Sequence, residues 1–228
     1  IGWYAGAGAR RVLGPITFDG VAQPAPVLHA ATGLAECRWL DPLRVVTKHA
    51  DGTPWTSGVH LARFTESIDG TQSYAIFVVR DHDVGDGNNV GVSDNVDDNT
   101  RTASLLVQLP ISTYQAYNNW GGKSLYHWGS GGARASHVSF DRPFALNPAA
   151  PRGMGAGEFL SNMQPPPATY GPSNAGWDVN MVRWLERAGV DANYTTSLDT
   201  HARGDALRRH AAWWSIGHDE YWTWAMRD

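Results

Sequence analysis

From Ser104 onward the sequence alternates compact apolar runs with segments of helical period. That alternation narrows the choice of fold more than any other feature. Ser104-Leu-Leu-Val-Gln-Leu109 is the kind of run that a buried strand carries. In Trp177–Ala188, Val182, Leu185 and Ala188 recur at helical spacing, and Gly189 follows as a stop. Residues 192–197 predict a strand, 205–210 a short helix, 211–216 another strand, and 220–228 the opening of a further helix. Strand and helix in succession imply a parallel sheet joined by crossover connections. Residues 104–228 are therefore expected to form an α/β domain. Between its first strand and first evident helix lies a span rich in Gly, Pro and aromatic residues. A span of that length carries function or conceals further elements.

The first eighty residues read differently. Short β-branched or aromatic runs at 27–29, 43–47, 59–64 and 74–80 are separated by turn clusters such as Asp51-Gly-Thr-Pro54 and Asp69-Gly70. Strands at this spacing predict an antiparallel β-sandwich over residues 1–80, with Trp3, Trp39, Trp55 and Phe77 in its core. Residues 81–103 separate the two parts. Asp81, Asp83, Asp86, Asp94, Asp97 and Asp98 fall here, with little to bury. Asp and Asn oxygens suit Ca²⁺, but the spacing fails the EF-hand pattern and no Glu closes the loop. The segment reads as an acidic linker.

Composition removes several function classes. The net charge of −4 and the absence of a basic run argue against nucleic acid as partner. The longest apolar stretch, 74–79, is far too short for a membrane-spanning helix. The one cysteine, Cys37, leaves no internal disulfide and no multi-thiolate zinc site. The chain opens on Ile1-Gly-Trp-Tyr4 and stops within a helix-like stretch, so it is expected to be a fragment of a longer protein, with the α/β domain incomplete at its C-terminus.

Open parallel sheets bind ligands beyond the carboxyl ends of their strands. Tyr114 and Tyr117 follow the strand ending at Leu109, Asp199 and His201 follow the next, and Gly217-His-Asp-Glu-Tyr-Trp222 follows Ile216. A tyrosine pair, an Asp and a His-Asp-Glu triplet thus converge on one rim. Each has a plain structural alternative: phenols pack, Asp199 suits a helix cap, and acids suit a helix's first turn. No zinc-binding His-Glu-x-x-His, nucleophile elbow or phosphate loop is present. The donors that remain are phenol, carboxylate and one imidazole, a hard set suited to Fe³⁺ or Mn.

Thr113-Tyr-Gln-Ala-Tyr-Asn-Asn-Trp-Gly-Gly-Lys-Ser-Leu-Tyr126, Val138-Ser-Phe-Asp-Arg-Pro143 and Gly217-His-Asp-Glu-Tyr-Trp222 resemble the large (β) subunit family of N,N-dimethylformamidase, in its C-terminal domain. Ile1-Gly-Trp-Tyr4, Gly33-Leu-Ala-Glu-Cys-Arg-Trp39 and 74–80 resemble the β-sandwich that precedes that domain. The resemblance implies a glutamine-amidotransferase-like α/β domain, bacterial origin and, in many relatives, export. It further implies a mononuclear iron held by two tyrosines and a glutamate, beside a histidine, acting on a small amide. Carried onto this sequence, the metal ligands are Tyr114 and Glu220 and the catalytic histidine is His218. The second tyrosine's place falls on Phe140, which has no oxygen to donate; His218, Asp141 and Tyr117 are the candidates to replace it.

Three readings follow. The first is a metal-assisted hydrolase of the C–N bond in a small-molecule amide, with His218 orienting substrate or moving a proton. The second is a secreted, catalytically inactive module that binds carbohydrate or another ligand through loop aromatics such as Trp120 and Trp128. The third is a hydrolase or transferase with a different substrate. No membrane partner is expected, and a homo-oligomer is left open.

Overall fold

The computed structural model describes residues 9–80, 103–145, 154–160 and 176–228. The N-terminal part forms two small antiparallel pairs. Val27–Leu28 (β1) pairs with Ala35–Glu36 (β2), and Gly58–Thr65 (β3) pairs along its full length with Gln72–Val79 (β4). The predicted runs at 59–64 and 74–80 are therefore one hairpin, while 43–47 forms no strand and contributes only the neighbouring bridge from Lys48 to Pro54.

Among the described residues these pairs are two separate two-stranded sheets, and a sandwich is not confirmed. Leu13, Ile16, Phe18, Val21, Leu43 and Val46 are all exposed, so none of these apolar residues forms a second buried face against the hairpin. Trp39 is likewise exposed, whereas Trp55 is buried and stacks on His60, which stacks in turn on Phe77. Trp3 and most of the acidic segment lie outside the described residues.

The hairpin's inner face is used elsewhere. Val59, Leu61, Ile76 and Val78 pack into the same cluster as the α/β part, and Ser57 Oγ accepts from the Tyr194 backbone N–H at 2.9 Å. That part is a three-stranded parallel sheet in the order β6-β5-β7: Leu105–Leu109 (β5) lies at the centre, Ala192–Thr196 (β6) on one side and Ala212–Ser215 (β7) on the other. A central parallel strand is covered on both faces, and β5 from Leu106 onward is buried throughout. The α/β expectation is met in this sheet.

Two helices matter for the rim. Ile111–Tyr117 (α1) leaves β5 directly after Pro110, a residue suited to a helix start. Trp177–Ala188 (α2) turns Val179, Val182 and Leu185 inward, each contributing about 1.5–3 kcal/mol by burial. It ends where Gly189 adopts the left-handed conformation, φ +69°. Ser197–Arg203 (α3) begins in a capping box between Thr196 and Asp199. The helix predicted at 205–210 is a 3-10 turn over Gly204–Arg209, and the last helix is confined to Trp224–Arg227 (α4). No described helix is long and apolar enough to cross a membrane.

Candidate metal and catalytic site

The rim is formed where α1 meets the segment after β7. Thr113 Oγ1, in the first turn of α1, accepts from the backbone N–H groups of both Glu220 (3.0 Å) and Tyr221 (3.2 Å). Ser112 Oγ donates to the Tyr221 carbonyl at 2.8 Å. These bonds fix the Glu220-Tyr221 backbone against the helix that carries the phenols.

Glu220 Oε2 is the focus. Tyr117 Oη donates to it at 2.6 Å, Tyr126 Oη at 3.0 Å, and His218 Nε2 lies 3.3 Å away. Tyr221 Oη donates to Tyr126 Oη at 2.8 Å. The Tyr117 and Tyr126 rings stack with centroids 4.3 Å apart, and Trp128 flanks both. Burial holds both phenols well above the ordinary tyrosine range, reinforced at Tyr117 by the Glu220 carboxylate and at Tyr126 by its neighbours Tyr117, Tyr221 and Glu220. Each is therefore a neutral hydrogen-bond donor.

The structure brings His218 and Glu220 together. Tyr114 points elsewhere. It is fully buried and its hydroxyl donates to Asp178, in the first turn of α2. Tyr114 and Tyr117 are three residues apart on one face of α1, roughly 4.5 Å along its axis. The first reaches into the core, the second to the rim. Phe140 is 45% exposed, at the surface, and Asp141 is held by its backbone against Cys37. Asp199 serves its helix and the guanidinium groups of Arg80 and Arg203, and His201 bonds Thr223. Tyr126 and Tyr221 were not singled out from the sequence. The available signal was that both stand in the two segments that already carry Tyr117 and Glu220.

A second acid layer lies beneath the rim. Asp219 Oδ2 accepts from Gln108 Nε2 at 2.8 Å and from Ser215 Oγ, and Thr200 supports Gln108 from behind. Burial raises Asp178 to about 7, with a further push from the Asp219 charge and an opposing pull from the Tyr114 hydrogen bond. One oxygen of each carboxylate is buried with no hydrogen-bond partner among the described residues. Gly217 fits between: its φ is +67°, and a Cβ there would meet Asp178 Oδ1 at 1.6 Å. Only glycine satisfies both requirements.

The loop from α1 to Tyr126 is held by Arg142, which is 4% exposed. Its guanidinium donates to Gln115 Oε1 and to the carbonyls of Gln115, Asn118, Trp120 and Lys123 at 2.9–3.2 Å. Carbonyls left over at the end of α1 thereby acquire a cationic partner.

Among the described residues no three His, Cys, Asp or Glu side chains gather into a metal site. The grouping at Glu220 is of another kind, two phenols with one carboxylate and one imidazole. The small cavity of about 30 Å³ bounded by Arg80, Asp199, Arg203 and His210 shares none of these residues and has room for a water or two.

The family described as N,N-dimethylformamidase beta subunit-like, C-terminal, matches residues 1–228. The chain belongs to that family. No curated protein matches it. Membership gives the chain kinship with a hydrolase of amides, and two of the segments that carry the resemblance, 113–126 and 217–222, meet at Glu220.

Proposed function

We propose that this N,N-dimethylformamidase-like chain serves a metal-assisted hydrolase that cleaves the C–N bond of a small amide. The observation that carries the reading is the convergence of Tyr117 Oη, Tyr126 Oη and His218 Nε2 on Glu220 Oε2. Two phenols and a carboxylate are hard oxygen donors of the kind Fe³⁺ takes. In this reading Tyr117, Tyr126 and Glu220 hold the ion, and Tyr117 with Tyr126 replaces the pairing of Tyr114 with the Phe140 position. When bound, the ion supplies Lewis acidity to an amide carbonyl.

The chain's own residues do the rest. His218, about a quarter exposed, stands at the mouth of the cluster beside Glu220, placed to take a proton from water and return it to the leaving amine. Water adds to the carbonyl carbon, the C–N bond breaks, and the amine departs with the proton while the acid remains. Trp128 and the stacked tyrosines wall one side and favour small apolar substituents on nitrogen.

The test is iron analysis of the full-length protein together with Glu220→Ala. Bound iron in the native protein, lost along with amide hydrolysis in the variant, is the expected result. A preparation free of iron, manganese and zinc that behaves identically after the substitution refutes the reading. One observation favours a ligand-binding module instead: Trp128 is 49% exposed next to the cluster, as a stacking platform would be. Glycan binding that survives Glu220→Ala and fails in Trp128→Ala would select that alternative.

A further inference from the structure

Tyr126 has one hydroxyl proton, and it is directed at Glu220 Oε2, which as a carboxylate can only accept. The 2.8 Å contact between Tyr221 Oη and Tyr126 Oη therefore has one consistent polarity, Tyr221 donating and the Tyr126 oxygen accepting. Three oxygens form a directed chain, Tyr221 to Tyr126 to Glu220. Its outer member is not loosely placed. The Tyr221 backbone is bonded to α1 at both its N–H and its carbonyl, through Thr113 and Ser112. Its ring meets those of Tyr117 and Tyr126 edge-on, with centroids 6.5 and 6.4 Å away.

We propose that Tyr221 is a positioning residue for the donor cluster: its hydroxyl fixes the orientation of the Tyr126 phenol and sets how strongly the Tyr126 oxygen can donate. The physical argument concerns the oxygen's lone pairs. A hydrogen bond donated into a phenol oxygen occupies one of its lone pairs, which fixes the direction of that hydroxyl and limits the electron density the oxygen can give to a cation. Partners of this kind, one step outside the ligands, orient a ligand and tune it, and their loss costs about 10–100-fold in metal affinity. The role of Tyr221 as a tuner of a metal ligand rests on the donor set of the preceding subsection. The role of Tyr221 in fixing Tyr126 does not, because it rests on the hydrogen bond between the two hydroxyls.

The experiment uses Tyr221→Phe in the full-length protein, which keeps the ring packing and deletes only the hydroxyl, with tyrosine labelled at the ring carbon bearing oxygen. Tyr126→Phe and Tyr117→Phe assign the resonances. In the metal-free protein Tyr221→Phe is expected to shift the Tyr126 resonance and leave that of Tyr114 in place. On titration with Fe³⁺ it is expected to weaken binding about 10-fold or more and to move the phenolate-to-iron absorption to longer wavelength, since the unassisted phenolate is richer in electrons. A merely structural role would leave the wavelength unchanged. An unmoved Tyr126 resonance overturns the proposal outright. A moved resonance with unaltered iron affinity and wavelength overturns the tuning role. A native protein that shows no phenolate-to-iron absorption refutes the donor set of the preceding subsection, and the Tyr126 resonance alone then decides whether Tyr221 fixes that phenol.

Discussion

Replacing Arg142 by Met tests whether one buried cation holds the phenol-bearing loop. Met matches much of the arginine stem in length and leaves little void, so the change removes hydrogen bonding more than volume. Five bonds go at once, four of them to backbone carbonyls of Gln115, Asn118, Trp120 and Lys123. A buried carbonyl stripped of its partner costs about 1–3 kcal/mol. Against that sum stands the relief of no longer burying a charge, which already pulls the Arg142 pKa down to about 10. Part of the loop also relaxes toward water, since Trp120 and Lys123 are only half-buried. The net loss expected is about 3 kcal/mol, the lower part of the range for breaking a buried charged network. For a chain of this size that lowers Tm by roughly 6–12 °C. Thermal melts followed by far-ultraviolet dichroism read the shift, and Arg142→Lys, which restores the charge but not the five-donor fork, should recover only part of it. A melting point within a degree of the parent for Arg142→Met would refute the idea that these carbonyls depend on the guanidinium.

Two further predictions concern the layer beneath the rim. Gly217→Ala forces a left-handed backbone and a clash with Asp178 on one residue, and is expected to destabilise the fold by more than ~2 kcal/mol; denaturant titration with an unchanged midpoint would count against the packing described. Asp178, raised from an ordinary 3.8 to about 7, loses stability as pH rises between those values, because the unfolded chain ionises there while the folded one resists. The penalty is fully present above pH 7 and approaches about 4 kcal/mol, so Asp178→Asn should flatten the decline in Tm from pH 4 to 7. A wild-type melting point that rises across this window, with the variant following in parallel, would contradict it.

Much of the α/β part was legible because local pattern and burial agree there. The run at 104–109 is apolar, and its strand is central; the spacing of Val182 and Leu185 matches the buried face of α2, and Gly189 stops it in the left-handed conformation that the stop requires. α1 was not legible. Its seven residues include Tyr114 and Tyr117 but no polar cap and no acidic first turn, so nothing local marks its start beyond Pro110. The N-terminal sandwich is not confirmed, for a related reason. Turn residues at regular spacing mark where a chain can bend, and among the described residues the hairpin at 58–79 buries its apolar face on the α/β sheet.

The candidate site shows the same boundary between local and remote information. His218 and Glu220 stand two residues apart after a strand, and their meeting follows from the segment alone. Which tyrosine joins them does not, because Tyr114 and Tyr117 lie on one helical face and are chemically alike. The choice is made by Asp178, sixty-four residues away at the start of α2, which captures the Tyr114 hydroxyl in the core. The result is two phenol–carboxylate pairs stacked along α1, and burial separates their roles. Tyr114 with Asp178 is sealed, so its hydrogen bond stabilises the seat on which Gly217 rests. Tyr117 with Glu220 opens to solvent, the Glu220 side chain being 43% exposed, so under the proposed function it is this pair that exchanges its proton for a cation and meets a substrate. Exchanging the two phenylalanine substitutions therefore separates the pairs: Tyr114→Phe should lower Tm with little effect on iron affinity, and Tyr117→Phe should weaken iron binding with a smaller effect on Tm. Equal losses of iron affinity in both variants would mean that Tyr114 also serves the ion, and the division by burial would fall.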